Sequence, residues 1–266
     1  MSMHAMQPSL FVSHGAPTLA LEDGPARRFL QRLGEQLEPP RAVLVASAHR
    51  ETDTPTVGAA SAPETVHDFS GFPEALYRIE YPATGAPDVA AEVEQALGEA
   101  GLACRTDGER GLDHGAWVPL SLLFPEAAVP VLQVSIQPED GPVHHHALGR
   151  ALGPLRDRGI LVMGSGALTH NLAEFGRHPP DAEPPAWTAA FRDWMAGCLS
   201  AGETGALLDY RVRAPEAARN HPTEEHLLPL FVALGAGGRP ARASNLHTSY
   251  TFGVLAMDVW RFAGTP

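Results

Sequence analysis

Cysteine is scarce in this chain of 266 residues. Cys104 and Cys198 stand far apart and in no metal-type spacing, which argues against a disulfide framework and against a thiolate zinc site. Basic charge is short as well. Nineteen Lys and Arg face thirty-one Asp and Glu, for a net charge of -12 without any Lys/Arg cluster, so the attraction that draws nucleic acid or an anionic membrane is missing. No apolar run nears the ~20 residues of a membrane span. The first residues, Met1 to Pro8, have neither the basic start nor the apolar stretch of a secretory signal. These absences set an expectation of a cytoplasmic protein whose partner is a small molecule, with no nucleic acid and no membrane. Oligomeric state is left open.

What is present is a core. With 44% hydrophobic residues, a chain of this length can bury one as a single domain spanning 1–266. No internal repeat, low-complexity tract or Pro/Ser-rich linker divides it. Apolar runs at Leu10–Val12, Val43–Val45, Val129–Ile136 and Gly159–Met163 predict buried strands, with further strands near Leu102–Arg105 and Phe252–Trp260. Helical spacing predicts helices over Pro25–Leu37, Asp88–Ala100, His144–Asp157, Pro185–Leu199 and Thr223–Leu234. The fold class is therefore α/β. The irregular, aromatic-rich stretch from Thr52 to Pro87 is too long for filler and is expected to wall a binding site.

Three of the strands run out into histidine. Ser13-His14-Gly15 follows the first, Ser47-Ala48-His49 the second, and a Gly164-Ser165-Gly166 turn followed by Thr169-His170-Asn171 the third. In an open α/β sheet the ligand crevice lies beyond the carboxyl ends of the parallel strands, so these imidazoles converge although they are distant in sequence. Neutral imidazole is the commonest protein ligand for borderline cations, and one shared metal site is the economical reading. Ser165 is not a nucleophile elbow, because Met163 and Ala167 stand where Gly-x-Ser-x-Gly needs glycine. His114, between Asp113 and Gly115, is either a turn cap or a polar group above a bound substrate. His226 lies at the expected opening turn of a helix beside Glu224 and Glu225, and either Glu225 or His226 could complete a metal site. The run His144-His145-His146 cannot close on one ion from consecutive helical positions and reads as a solvated helix start.

Taken together, several segments resemble one family. Leu10-Phe11-Val12-Ser13-His14-Gly15-Ala16-Pro17, Val45-Ala46-Ser47-Ala48-His49, His67-Asp68-Phe69-Ser70-Gly71-Phe72-Pro73, Leu112-Asp113-His114-Gly115-Ala116-Trp117, Gly164 to Leu172 and Pro222-Thr223-Glu224-Glu225-His226 are similar, in order, to the DODA-type branch of the LigB-like class III extradiol ring-cleavage dioxygenases. The resemblance implies a single LigB-like domain with a mostly parallel or mixed central sheet flanked by helices, its metal site at the strand ends. It implies a catalytic non-haem Fe(II), with Zn²⁺ able to occupy the same site, and a catechol and O₂ as partners in forming a ring-opened semialdehyde. By motif, His14 and His49 are ligands, and His226 takes the third position with Glu225 as its local competitor. His170 is then acid/base or a fourth ligand, and His114 faces the substrate and dioxygen. His67, Phe69, Phe72 and Tyr77 are expected near the pocket. Two other functions stay open at this point: a zinc-dependent hydrolase on the same scaffold, and a non-catalytic, Memo-like metal-binding interaction protein.

Overall fold

Strand residues that are apolar on both faces need cover on both sides, and the sheet receives it. A computed structural model describes residues 5–238 and 242–264. Its strands are β1 (Ser9–Ser13), β2 (Ala42–Glu51), β3 (Thr56–Gly58), β4 (Arg105–Asp107), β5 (Val131–Ile136), β6 (Ile160–Gly166), β7 (Ala243–His247), β8 (Tyr250–Thr251), β9 (Leu255–Ala256) and β10 (Val259–Phe262). The helices are α1 (Pro25–Gln36), α2 (Pro87–Glu99), α3 (His114–Leu123), α4 (Gly141–Leu152), α5 (Ala186–Ala201), α6 (Thr204–Leu208), α7 (Tyr210–Arg213), α8 (Ala217–Asn220) and α9 (Leu228–Ala236). Eight strands form one mixed sheet in the order β4-β3-β5-β2-β6-β1-β10-β7, and β8 pairs with β9 apart from it. The central strands β5, β2, β6 and β1 are mutually parallel, whereas β10 runs antiparallel to β1.

Leu10, Val12, Val43 and Val45 face α1 and α3 through Leu30, Leu33, Trp117 and Leu120. Ala42, Leu44, Ala46 and Val162 face the other way, against α2, α4 and α9 through Val93, Leu148, Leu152 and Val232. The period-2 alternation of a strand thus feeds two separate cores, and parallel strand ends are left free at one edge for function.

Several boundaries differ from the sequence expectation. The Gly164-Ser165-Gly166 stretch continues β6 instead of turning, and His49 lies within β2. The apolar segment after His114 is the helix α3, its N-terminus capped by Asp113, whose side chain accepts from the Ala116 N–H. The expected helix over Thr223–Leu234 begins only at Leu228, because the His226 carbonyl accepts from the Ala167 N–H at 2.8 Å and so is committed outside the helix. The expected final strand is broken by Phe252 and Gly253, both at positive φ, before β9 and β10. The helix from His144 ends at Leu152 and tightens into a 3₁₀ stretch over Gly153–Arg158. Within it His145 is buried, donating through Nδ1 to the Gly141 carbonyl at 2.7 Å and accepting from the Gln137 N–H at 3.1 Å, so it is a core histidine of α4 and not a solvated one.

Candidate metal centre

Each ring is delivered by its own piece of the fold. His14 follows β1 directly, its N–H bonded to the Gly166 carbonyl at 2.9 Å, and Gly15 turns the chain away at φ +62°, a left-handed conformation suited to glycine. His49 sits where the pairing register of β2 against β5 shifts between Ala46 and Glu51. His226 arrives from the turn before α9. That turn can lie against β6 only because Gly164 and Gly166 lack side chains: a Cβ on either would collide with the Pro229 or His226 carbonyl.

The result is convergence of three buried or half-buried imidazoles. The His14 and His49 Nε2 atoms are 3.1 Å apart, about the spacing of two nitrogens sharing one ion at ~2.0–2.1 Å. Ligand atoms of His14, His49 and His226 all lie within 4.8 Å of one another.

Behind them, oxygen atoms hold two of the outward nitrogens and a third faces a carboxylate at longer range. Ser165 Oγ donates to the Gly115 carbonyl, so at 3.0 Å from His14 Nδ1 it must accept the Nδ1 hydrogen. Gly115 has that carbonyl to spare because Pro119, four residues on within α3, has no N–H to give it. His226 Nδ1 donates to Glu225 Oε1 at 2.9 Å, and His49 Nδ1 faces Asp68 Oδ2 at 3.8 Å. Fixing Nδ1–H leaves Nε2 with its lone pair inward, the arrangement of histidines that bind cations. Burial, followed by repulsion among neighbouring histidines, holds His14 and His226 well below their ordinary range. Burial likewise takes His49 to about 3 and His170 to about 4. Neutral rings are the ligating form. Packing unpaired lone pairs together in a desolvated pocket is unfavourable without a cation, and the donor set therefore fits one.

His170 and His114 complete the ring of imidazoles. His170 stacks on His226 with centroids 3.5 Å apart and 9° between planes. His114 lies 3.9 Å from His49 by centroids and is held twice by Asp68: its backbone N–H and its Nδ1 each lie 2.9 Å from Asp68 Oδ1. Burial alone would raise the Asp68 carboxyl, but the bonds from His114 outweigh it and hold it at about 2. Two more donor trios occur here: His49 with Asp68 and His114, and His170 with Glu225 and His226.

Above the rings lies a cleft of about 200 Å³ that His49, His114, His170 and His226 share with Phe69, Phe72 and Phe175. Of the aromatic segment, Phe69 and Phe72 reach it. His67 and Tyr77 pack behind Phe69 instead, at centroid distances of 5.7 and 5.2 Å, and His67 Nε2 bonds the Ile79 carbonyl at 3.1 Å. Sequence reading overlooked Asp68, although it sits beside His67 in the motif-bearing segment, and it gave Ser165 no part in holding His14. A larger cavity of about 720 Å³ between α1 and residues 121–129 is remote from these histidines.

Fold and site together define an α/β protein with a histidine-lined centre at its parallel strand ends, under an aromatic cleft. The family described as the catalytic LigB subunit of aromatic ring-opening dioxygenase matches residues 8–258. The chain belongs to this family and is an extradiol ring-cleavage dioxygenase, an oxidoreductase. It is 40% identical to a 4,5-DOPA dioxygenase extradiol of Beta vulgaris, over 97% of both chains. It is 39% identical to the 4,5-DOPA dioxygenase extradiol of Escherichia coli strain K12, over 86% of this chain and 84% of that one. The crystal structure of an uncharacterized Escherichia coli K12 protein superimposes with a TM-score of 0.81 at 31% identity, covering 97% of this chain and 100% of the other. The family implies a metal centre.

Proposed function

We propose that His14, His49 and His226 hold Fe(II) and that the cleft above them binds a catechol for ring opening by O₂. The observation that carries this is that ligand atoms of His14, His49 and His226 lie within 4.8 Å of one another, with Nδ1 hydrogen-bonded to Ser165 at His14 and to Glu225 at His226. Fe(II) in this neutral ligand set would acidify both catechol hydroxyls and offer an open position to O₂. Zn²⁺ suits the same imidazoles but does not react with O₂ in this way.

The remaining work falls to the protein. His114, with Nδ1–H bound to Asp68, turns its Nε2 to the cleft as an acceptor for a substrate hydroxyl. Once it carries a proton, the Asp68 carboxylate steadies the imidazolium, which can then offset negative charge developing on oxygen. His170, fixed in plane by stacking on His226, is placed to receive the second hydroxyl proton and to return it to a dioxygen-derived oxygen as the ring opens. Phe69, Phe72 and Phe175 grip the ring and keep water from it.

The test is to load the protein with Fe(II) under argon, add DOPA, caffeate or protocatechuate, and then admit O₂. The expected result is O₂ uptake with a yellow ring-opened semialdehyde. No uptake and no product from any catechol overturns the reading, and turnover that persists under argon would point to metal-dependent hydrolysis.

A further inference from the structure

His170 stands on a stretch that belongs to no helix or strand. Beyond β6 the chain has left its ladder partners, and a side chain that must meet a substrate to within ~0.5 Å needs other restraints. Residues 167–171 find them in long-range hydrogen bonds, at least one at each residue. The Ala167 N–H donates to the His226 carbonyl at 2.8 Å, and the Leu168 N–H to Ser13 Oγ at 3.2 Å. Thr169 Oγ1 donates to the Val254 carbonyl at 2.9 Å and accepts from the Ala256 N–H at 2.8 Å. The others reach three consecutive residues at the end of α8. Asn171 Nδ2 donates to the Arg219 carbonyl at 2.6 Å, the His170 N–H to the Asn220 carbonyl at 3.0 Å, and His221 Nε2 to the Leu168 carbonyl at 3.0 Å. This clamp is itself anchored on the start of α5, where Asn220 Nδ2 donates to the Trp187 carbonyl at 3.2 Å and the Arg219 guanidinium lies 4.4 Å over the Trp187 ring.

His221 is the member of the clamp whose side chain has no other task. It is fully buried, its ring 5.5 Å from that of Phe191 and 6.5 Å from that of Tyr210. Burial takes it to about 3, so the neutral ring carries one hydrogen, and the Leu168 carbonyl fixes that hydrogen on Nε2. Among the described residues nothing pairs with Nδ1. A hydrocarbon side chain would fill the same space without burying an unpaired nitrogen. What the imidazole adds is the donor, and without it the carbonyl of the buried Leu168, two residues before His170, loses its tie to α8.

We propose that His221 is the positioning residue for His170, holding its segment so that the His170 ring stays stacked on His226 at the edge of the cleft. This rests on the reading of His170 as the group that moves a proton, and the two can fail separately. His221→Met and His221→Leu keep an apolar filling and lose the donor, whereas His221→Gln restores an N–H at the reach of Nε2. These variants are compared with the unsubstituted protein and with His170→Ala. Histidine-labelled NMR spectra are taken of the Zn²⁺-loaded proteins. The His170 ring signals are those missing from His170→Ala, and stacking on His226 should shift them upfield. Chelator competition gives Zn²⁺ affinity, and the Fe(II)-loaded proteins give kcat and KM on whichever of DOPA, caffeate and protocatechuate turns over fastest.

In the Met and Leu variants the His170 signals should lose their upfield shift. With them kcat should fall by about 10–100-fold, the scale of an ~1 Å misplacement, while KM and Zn²⁺ affinity stay nearly unchanged. His221→Gln should recover most of both losses. One folded variant of the Met and Leu pair is enough for the comparison.

His170 signals that keep their place without the donor overturn the proposal, as does a His221→Gln protein no better than His221→Met. Zn²⁺ affinity that falls as steeply as kcat also overturns it, since His221 would then support the whole centre. Signals that move while kcat does not would overturn proton transfer by His170 and leave its placement by His221 standing. If the unsubstituted protein cleaves no catechol, the ring-cleavage reading fails and the NMR comparison alone decides the placement.

Discussion

His14 can present Nε2 to a cation only while its proton sits on Nδ1, and that choice traces back to a proline in another element. Pro119 leaves the Gly115 carbonyl free, Ser165 donates to it, and Ser165 must then accept from His14. Ser165→Ala should therefore weaken metal affinity by about 10–100-fold, as loss of a supporting hydrogen bond does elsewhere, measured by competition with a chelator. Pro119→Ala should weaken it in the same direction, since the restored N–H competes for the Gly115 carbonyl. His14→Ala and His49→Ala should abolish binding, whereas His170→Ala should retain metal and lose turnover. A His170→Ala protein as metal-free as His14→Ala would make His170 a ligand. Asp68→Asn should lower kcat far more than metal content, because the amide cannot steady a protonated His114.

At the level of elements, the centre depends on a close approach that two glycines permit. Gly164 and Gly166 let the turn carrying His226 and the start of α9 lie directly on β6. Gly166→Ala should push that turn away, at about 1–3 kcal/mol of stability for overpacking, with metal affinity falling in step, and thermal melts with and without Zn²⁺ would read both. The strands β1, β2, β5 and β6 were legible because fully buried strands are unbroken apolar runs, and α2 and α5 because their apolar residues keep the helical period. Three-residue β3 carries too little pattern and exists by pairing with its neighbours, while the strand expected near Leu102–Arg105 forms slightly later, as β4. Helix α3 was obscured by Pro119 within it, and the late start of α9 by a carbonyl bonded to Ala167, a long-range contact that local sequence does not encode. The site divides similarly. His14 and His49 follow from strand ends, but His67 and Tyr77 share a segment with Phe69 and Phe72, and only the packing decides which of them turn toward the cleft.

For the molecule as a whole, the buried neutral histidines make stability depend on pH. In the unfolded chain these rings take up protons near pH 6.5, whereas His49 and His221 are held to about 3, and His145 and His170 to about 4, chiefly by burial. Between those values the unfolded state binds more protons, so stability is highest above about pH 6.5 and declines as pH falls toward 4. Urea midpoints of the metal-free protein at pH 7.5 and 5 should show this decline, and a flat profile would contradict the burial of these rings. Metal binding should follow the same direction, since protons compete for the ligands.

The proposed centre also ties the turn before α9 to two central strands of the sheet. Its three proposed rings come from the end of the first strand, the second strand and a turn more than two-thirds of the way to the C-terminus, so an ion bound there would join distant segments and stabilise the folded state by mass action. The peptide between β6 and α9, which includes the long connection over residues 167–185, is anchored by the sheet at β6 and would be tied by the ion at His226. Withdrawing the ion should make that connection the first place a protease cuts, and restoring Zn²⁺, even without catalysis, should protect it.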